Sequence, residues 1–245
     1  MKKYLLIFVI IPFLFPAHCM AADEMTEFYS GVEISWDVPE DELVQLAKVK
    51  RFDRYAIVRV IKDELQKYPK GFLGQHIEKI YLSRAATVQG SRVGGVAKGG
   101  GGKKGIIYIT SWNDEKDDLK VRLHHEIAHH IMYISPTAKN ALDEWQKLKP
   151  ENFDYLGSGL AAIQSGQAQV KVGKTLYEKG FITSYASSAM EEDFAEVAGH
   201  IFAGDNNFWD LAEDYPLIMK KAELVARVYQ GVDPQYTLDY LQFRF

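Results

Sequence analysis

Cysteine is almost absent from this 245-residue chain. The single one, Cys19, lies in an N-terminal segment built like an export signal. Lys2 and Lys3 are followed by an apolar run from Tyr4 to Phe15 and then by small residues ending at Ala21-Ala22. Cleavage after Ala21 or Ala22 removes the cysteine, so no disulfide framework can hold the mature chain. His18 stands where a lipoprotein signal needs a small residue, which argues against a lipid anchor. Long apolar stretches are missing as well. The Tyr4 to Phe15 run is too short to span a bilayer comfortably, so no stable membrane span is expected once the signal is removed. An excess of positive charge is also missing. The formal net charge of −4 becomes −6 when Lys2 and Lys3 leave, and an acidic exported chain is a poor nucleic-acid binder. A phosphate-binding loop is lacking too: Gly102-Lys103 is followed by Lys104, and Ala97 occupies the place of the first glycine. The expected location is secreted or periplasmic. A retained signal would instead give a membrane-tethered envelope protein.

With 47% hydrophobic residues a substantial core is expected. Gly31 to Trp36 alternates as a half-buried strand, and Ile80 to Ser83 and Ile106 to Thr110 are short strand candidates. Helices are predicted from Glu40 to about Lys50, Asp53 to about Tyr68, Pro136 to about Leu148, Met190 to Phe202 and Tyr215 to Tyr229. A last one starts at Asp233-Pro234. Trp145 is assigned to the core. Gly94 to Gly105 contains seven glycines in twelve positions and reads as a loose hairpin connection or a mobile flap. Pro150 to Lys174 reads as polar and irregular, with a small hairpin near Gln169 to Val172. Strands early and helices later indicate an α+β layout. Signal residues 1–22 precede a single domain, 23–245, with an N-terminal part of about 23–78 and a catalytic core of about 79–245.

The chemistry concentrates in His124-His125-Glu126-Ile127-Ala128-His129-His130, which contains HExxH. Leu119, Leu123, Ile127 and Ile131 repeat every four residues, Asn113 or Asp114 can cap the start, and Ser135-Pro136 stops the end. On such a helix His125 and His129 share a face one turn apart and can grip one zinc ion. Glu126 can reach a water on the same metal and serve as general base. His124 and His130 point to other faces and are structural. A catalytic zinc needs a third protein ligand. The metzincin pattern is excluded because Met132 and Ser135 hold the places of its glycine and third histidine. Glu191-Glu192-Asp193-Phe194-Ala195-Glu196 is the best source. Glu192 and Glu196 share a face, so one carboxylate can bind metal while the other accepts the N–H of a liganding imidazole.

Two stretches carry a resemblance: Gly180-Phe181-Ile182-Thr183-Ser184-Tyr185, and Glu192-Asp193-Phe194-Ala195-Glu196. Together they resemble the second signature of secreted bacterial zinc-binding metallopeptidases of the glutamate-zincin type, related to the catalytic domain of anthrax lethal factor. A tyrosine stands seven residues before the liganding glutamate there, as Tyr185 stands before Glu192. The resemblance covers roughly Leu119 to Phe202. It implies a zincin-like α+β fold, a small mixed sheet packed on an HExxH helix and a second, glutamate-bearing helix. It implies zinc held by His125, His129 and Glu192, with Glu196 behind them. Glu126 would be the base, and Tyr185 would donate to the developing oxyanion. It also implies a peptide or protein substrate, paired in extended form with a sheet edge for which Ile106 to Thr110 is the candidate. A zinc-containing binding or structural protein with little hydrolase activity is the alternative.

Overall fold

The computed structural model describes residues 27–37, 39, 44–49, 51–100, 103–111, 116–166, 170–205 and 207–245. The signal segment and the capping positions Asn113 and Asp114 lie outside these residues.

The chain opens with an antiparallel pair, β1 (Glu27–Tyr29) and β2 (Val32–Ser35), the latter within the alternation from Gly31 to Trp36. A short strand follows, β3 (Val44–Ala47), where a helix from Glu40 to Lys50 was expected. Its partner lies some forty positions later in the sequence, so the pairing leaves no local signal. The helix α1 (Arg51–Leu65) fits the apolar stripe Val58, Ile61 and Leu65, all buried. A single turn, α2 (Phe72–His76), leads into β4 (Ile77–Ser83). Two strands absent from the sequence reading come next, β5 (Ala85–Val88) and β6 (Ser91–Val93). The glycine-rich segment then forms β7 (Gly95–Gly100), antiparallel to β8 (Lys103–Thr110).

These strands make two sheets. The larger runs β1-β2-β4-β8-β7 and is mixed, with β4 parallel to both of its neighbours; the smaller runs β3-β5-β6 and is antiparallel. The expected substrate edge is therefore misplaced. β8 is paired on both sides, and β7 ends the sheet.

The sheet packs against α3 (Lys116–Ile134), which carries HExxH. Leu119, Leu123, Ile127 and Ile131 are all buried. Each such side chain contributes about 1.5–3 kcal/mol relative to exposure. Ser135 ends the helix and donates its hydroxyl to the Val228 carbonyl at 2.7 Å, and Pro136 cannot continue it. Then comes α4 (Ala138–Trp145), extended by one 3-10 turn, with Trp145 fully buried. The stretch from Pro150 to Lys174 is less irregular than its composition suggests. It holds α5 (Gly159–Gln164), capped by the Ser158 hydroxyl on the Ala161 N–H, and leads to α6 (Lys174–Tyr177). No hairpin forms among its described residues; Gln169 lies outside them.

The second site helix is α7 (Met190–Ala203), ended by Gly204 at φ 72°. Its first turn carries Glu191, Glu192 and Asp193, favoured by the helix dipole. Behind it lie α8 (Phe208–Asp214), which the sequence reading missed, α9 (Pro216–Gln230) and α10 (Leu238–Arg244). The last helix starts at a Thr237 cap rather than at Asp233-Pro234. Gly199 lets α7 approach α3 closely: a Cβ there would lie 2.9 Å from the Val121 carbonyl and 3.4 Å from His125 Cβ. Among the described residues no helix is long and apolar enough to cross a membrane.

Candidate metal centre

His125 and His129 face α7 from one side of α3, and Glu192 reaches them from the first turn of α7. The distances are 3.1 Å between the two Nε2 atoms, 3.1 Å from His125 Nε2 to Glu192 Oε2, and 3.4 Å from His129 Nε2 to the same oxygen. Zinc binds histidine nitrogen and carboxylate oxygen at about 2.0–2.2 Å, usually as a tetrahedron, whose ligand atoms then stand about 3.3–3.6 Å apart. The triangle is close to those edges, so this donor set fits zinc.

The Glu196 carboxylate fixes the ring of His125. Its Nδ1 donates to Glu196 Oε1 at 3.1 Å, which turns Nε2 toward Glu192 and His129. Thr183 donates its hydroxyl to the other oxygen of Glu196 at 2.6 Å. Burial disfavours charge on His125, but the bonds to Glu192 and Glu196 outweigh it and push its pKa well above the ordinary value. Burial likewise works to raise Glu192, yet the two histidines hold its carboxyl far below the usual range. One carboxylate and two imidazoles thus converge on a point that favours positive charge, with the Glu196 carboxylate behind the His125 ring.

Glu126 stands apart from the triangle. It is buried, and burial raises its pKa. The backbone of β7 presses on it: a Cβ on Gly95 would lie 2.5 Å from Glu126 Oε1. The contact is one of a series. Gly94 lies against Arg122, and Gly99 and Gly105 lie against His130. Arg122, Glu126 and His130 are spaced by four on one stripe of α3. Four of the glycines that suggested a loose flap, Gly94, Gly95, Gly99 and Gly105, are positions where the backbone around β7 and β8 lies against that stripe.

Tyr185 belongs to a short 3-10 turn before α7 and lies against Glu192. Burial, then the charges of Glu192 and Glu126, push its hydroxyl pKa far upward and keep it a donor. Gly159 closes this corner, since a Cβ there would collide with both the Tyr185 hydroxyl and Glu192 Oε1. The two flanking histidines sit away from the triangle. His124 bonds Tyr68 at 2.8 Å and Glu64 at 2.9 Å, and His130 packs under the β7–β8 hairpin.

The structure thus brings together His125, Glu126, His129, Tyr185, Glu192 and Glu196. Glu191 is exposed and is not part of the ligand group. Sequence reasoning missed Thr183, Gly159 and Gly199. It also missed a buried node one residue beyond Glu192. Asp193 accepts bonds from Lys221 at 2.5 Å, Tyr155 at 2.8 Å and Trp145 at 2.9 Å, and Lys221 also donates to the Gly180 carbonyl at 2.7 Å. The node ties α7 to α4, to α9 and to the segment that leads to Tyr185. Its only sequence signal was an acid among apolar neighbours. The centre opens into a cleft of about 1000 Å³.

Comparison with known proteins gives a family and a fold. A family model described as "Putative zinc-binding metallo-peptidase" matches residues 66–230. A solved structure described in the same words, from Bacteroides caccae ATCC 43185, shares the fold. Its TM-score is 0.54 at 20% identity, over 86% of this chain and 82% of that one. No curated protein matches.

Proposed function

The chain belongs to the zinc-binding metallo-peptidase family matched over residues 66–230, and from that premise we propose that it hydrolyses peptide bonds at His125, His129 and Glu192 with one zinc ion. Zinc at such a site supplies a Lewis acid and lowers the pKa of water. The observation that carries the reading is the donor triangle of 3.1, 3.1 and 3.4 Å with a buried carboxylate, Glu126, beside it.

Glu126 acts as general base. It takes a proton from the attacking water and returns it to the leaving amine. Tyr185 donates its hydroxyl to the oxygen of the scissile carbonyl as negative charge develops there. Glu196, held by Thr183, keeps His125 in the tautomer that leaves Nε2 free to bind metal. The substrate is a peptide or protein. Residues 23–245 form one zincin-like domain related to the lethal factor catalytic domain. Residues 1–22 direct export to the periplasm or beyond, which N-terminal sequencing of the exported protein tests.

The decisive experiment is digestion of a proteome-derived peptide library by zinc-loaded protein, with Glu126→Gln as control. The variant is expected to retain metal and fold while losing about two to four orders of magnitude in rate. Equal cleavage by the variant would overturn the mechanism.

A further inference from the structure

Two valines on the cleft wall are exposed to an unusual degree. Val170 is 71% and Val172 is 65% exposed, and both line the same cleft as His125 and Glu192. Residue Lys171 between them is pinned through its backbone. Its N–H donates to the Ser184 hydroxyl at 2.9 Å, and its carbonyl accepts the Ser184 N–H at 2.8 Å. Ser184 immediately precedes Tyr185. The valines are therefore held beside the reacting centre by a two-bond clamp, at the cost of leaving apolar surface in water.

Other parts of the cleft lining are apolar too. The helix α5 starts against Tyr185 and Glu192 at Gly159 and carries Leu160 and Ile163 into the cleft. Ile163 packs with Val88 and Val96 on a small hydrophobic cluster centred on Val44, Ala86 and Val93. That cluster is separate from the main core and lies behind the wall. Val88, Val93 and Val96 also line the cleft. Arg92, Asp118 and Arg122 also line the cleft, but the valines, Leu160 and Ile163 give it an apolar stretch continuous with the metal centre, suited to cover a side chain.

We propose that this stretch is the specificity pocket of the enzyme, and that it selects peptides with a large aliphatic or aromatic side chain next to the scissile bond. This deepens the metallopeptidase reading and rests on it. A substrate side chain seated there removes Val170, Val172 and Ile163 from water together, which a serine or aspartate side chain cannot do.

The test uses zinc-loaded full-length mature protein and two probes, the hydroxamates of acetyl-leucine and acetyl-serine, each titrated by calorimetry. Cleavage of a peptide library randomised beside the scissile bond is read in parallel. The leucine probe is expected to bind at least about 10-fold more tightly than the serine probe, in line with apolar discrimination. Cleavage should favour Leu, Ile, Met and Phe. Val172→Asp, at an exposed position that folding does not depend on, should reduce the ratio to about 3 or less; Ile163→Ala should reduce it in the same direction. Equal binding of the two probes, with cleavage intact, would overturn this inference and leave the metallopeptidase reading standing. An unchanged ratio in both variants would also overturn it. Zinc-dependent binding of neither probe, with no cleavage, would overturn the metallopeptidase reading and this inference with it.

Discussion

His125 Nδ1 lies 3.1 Å from Glu196 Oε1, on the far side of the ring from the nitrogen that faces Glu192 and His129. That relationship assigns different work to three neighbouring glutamates. Glu192→Ala removes a ligand atom and should lose zinc most. Glu196→Ala frees the His125 ring and should weaken zinc binding by about 10- to 100-fold. Glu191→Ala should change little. Competition with a fluorescent zinc chelator reads all three, and a first-place loss in Glu191→Ala would reverse the assignment.

Tyr185→Phe removes one donor without opening space. It should keep zinc and cost about 2.7–4 kcal/mol of barrier, expressed in kcat rather than KM. A variant with full kcat would take Tyr185 out of the reaction.

Gly159→Ala tests the packing behind that tyrosine. The added methyl meets Glu192 and the Tyr185 hydroxyl. Zinc affinity and activity should fall together while the circular dichroism spectrum stays close to wild type. Normal activity in a folded Gly159→Ala protein would show that α5 can retreat.

Zinc removal should loosen the pairing of α3 with α7, because the ligands come from both helices. Chelation is expected to lower Tm, with the metal-bound form stabilised by about 2.7 kcal/mol at a free zinc concentration 100 times Kd. In His129→Ala the chelator should have little effect on Tm.

Glu64 gives a pH signature away from the metal. Burial works to raise its carboxyl, but the bond with His124 and the ion pair with Lys67 outweigh it and hold the pKa below the ordinary value. A depressed carboxyl stabilises the fold above its unfolded pKa of about 4.3, and that contribution is lost as pH falls through the lower folded value. Glu64→Gln should cost about 1–3 kcal/mol at neutral pH, a gap that narrows below about pH 4. Urea denaturation at several pH values measures it, and a constant gap would contradict the sign.

The parts of the fold legible in the sequence are those whose signal is local. The stripe Leu119, Leu123, Ile127 and Ile131 located α3, and the pair Glu192 and Glu196 located the working face of α7. Val44–Ala47 was misread because acids precede it and its partner, Ala85–Val88, is distant in sequence. Gly159–Gln164 is too short to show a period. Glycine disfavours strands by propensity, so β7 reads as a loop until α3 is seen to need the room. Thr183 lay within a quoted motif, but only the folded chain turns its hydroxyl to Glu196.

The glycine contacts on α3 predict a pattern of inheritance. A glycine in or beside a strand and a helix residue share one volume at each of three points: 94 with 122, 95 with 126, and 99 and 105 with 130. A relative that gains a side chain at one member of a pair must lose bulk at the other. Because 126 carries the proposed base, position 95 has no freedom to trade, whereas 94 and 122, or 105 and 130, can drift together. Across related chains Gly95 should be the least variable of these glycines, for a reason that lies in its neighbour rather than in its own backbone.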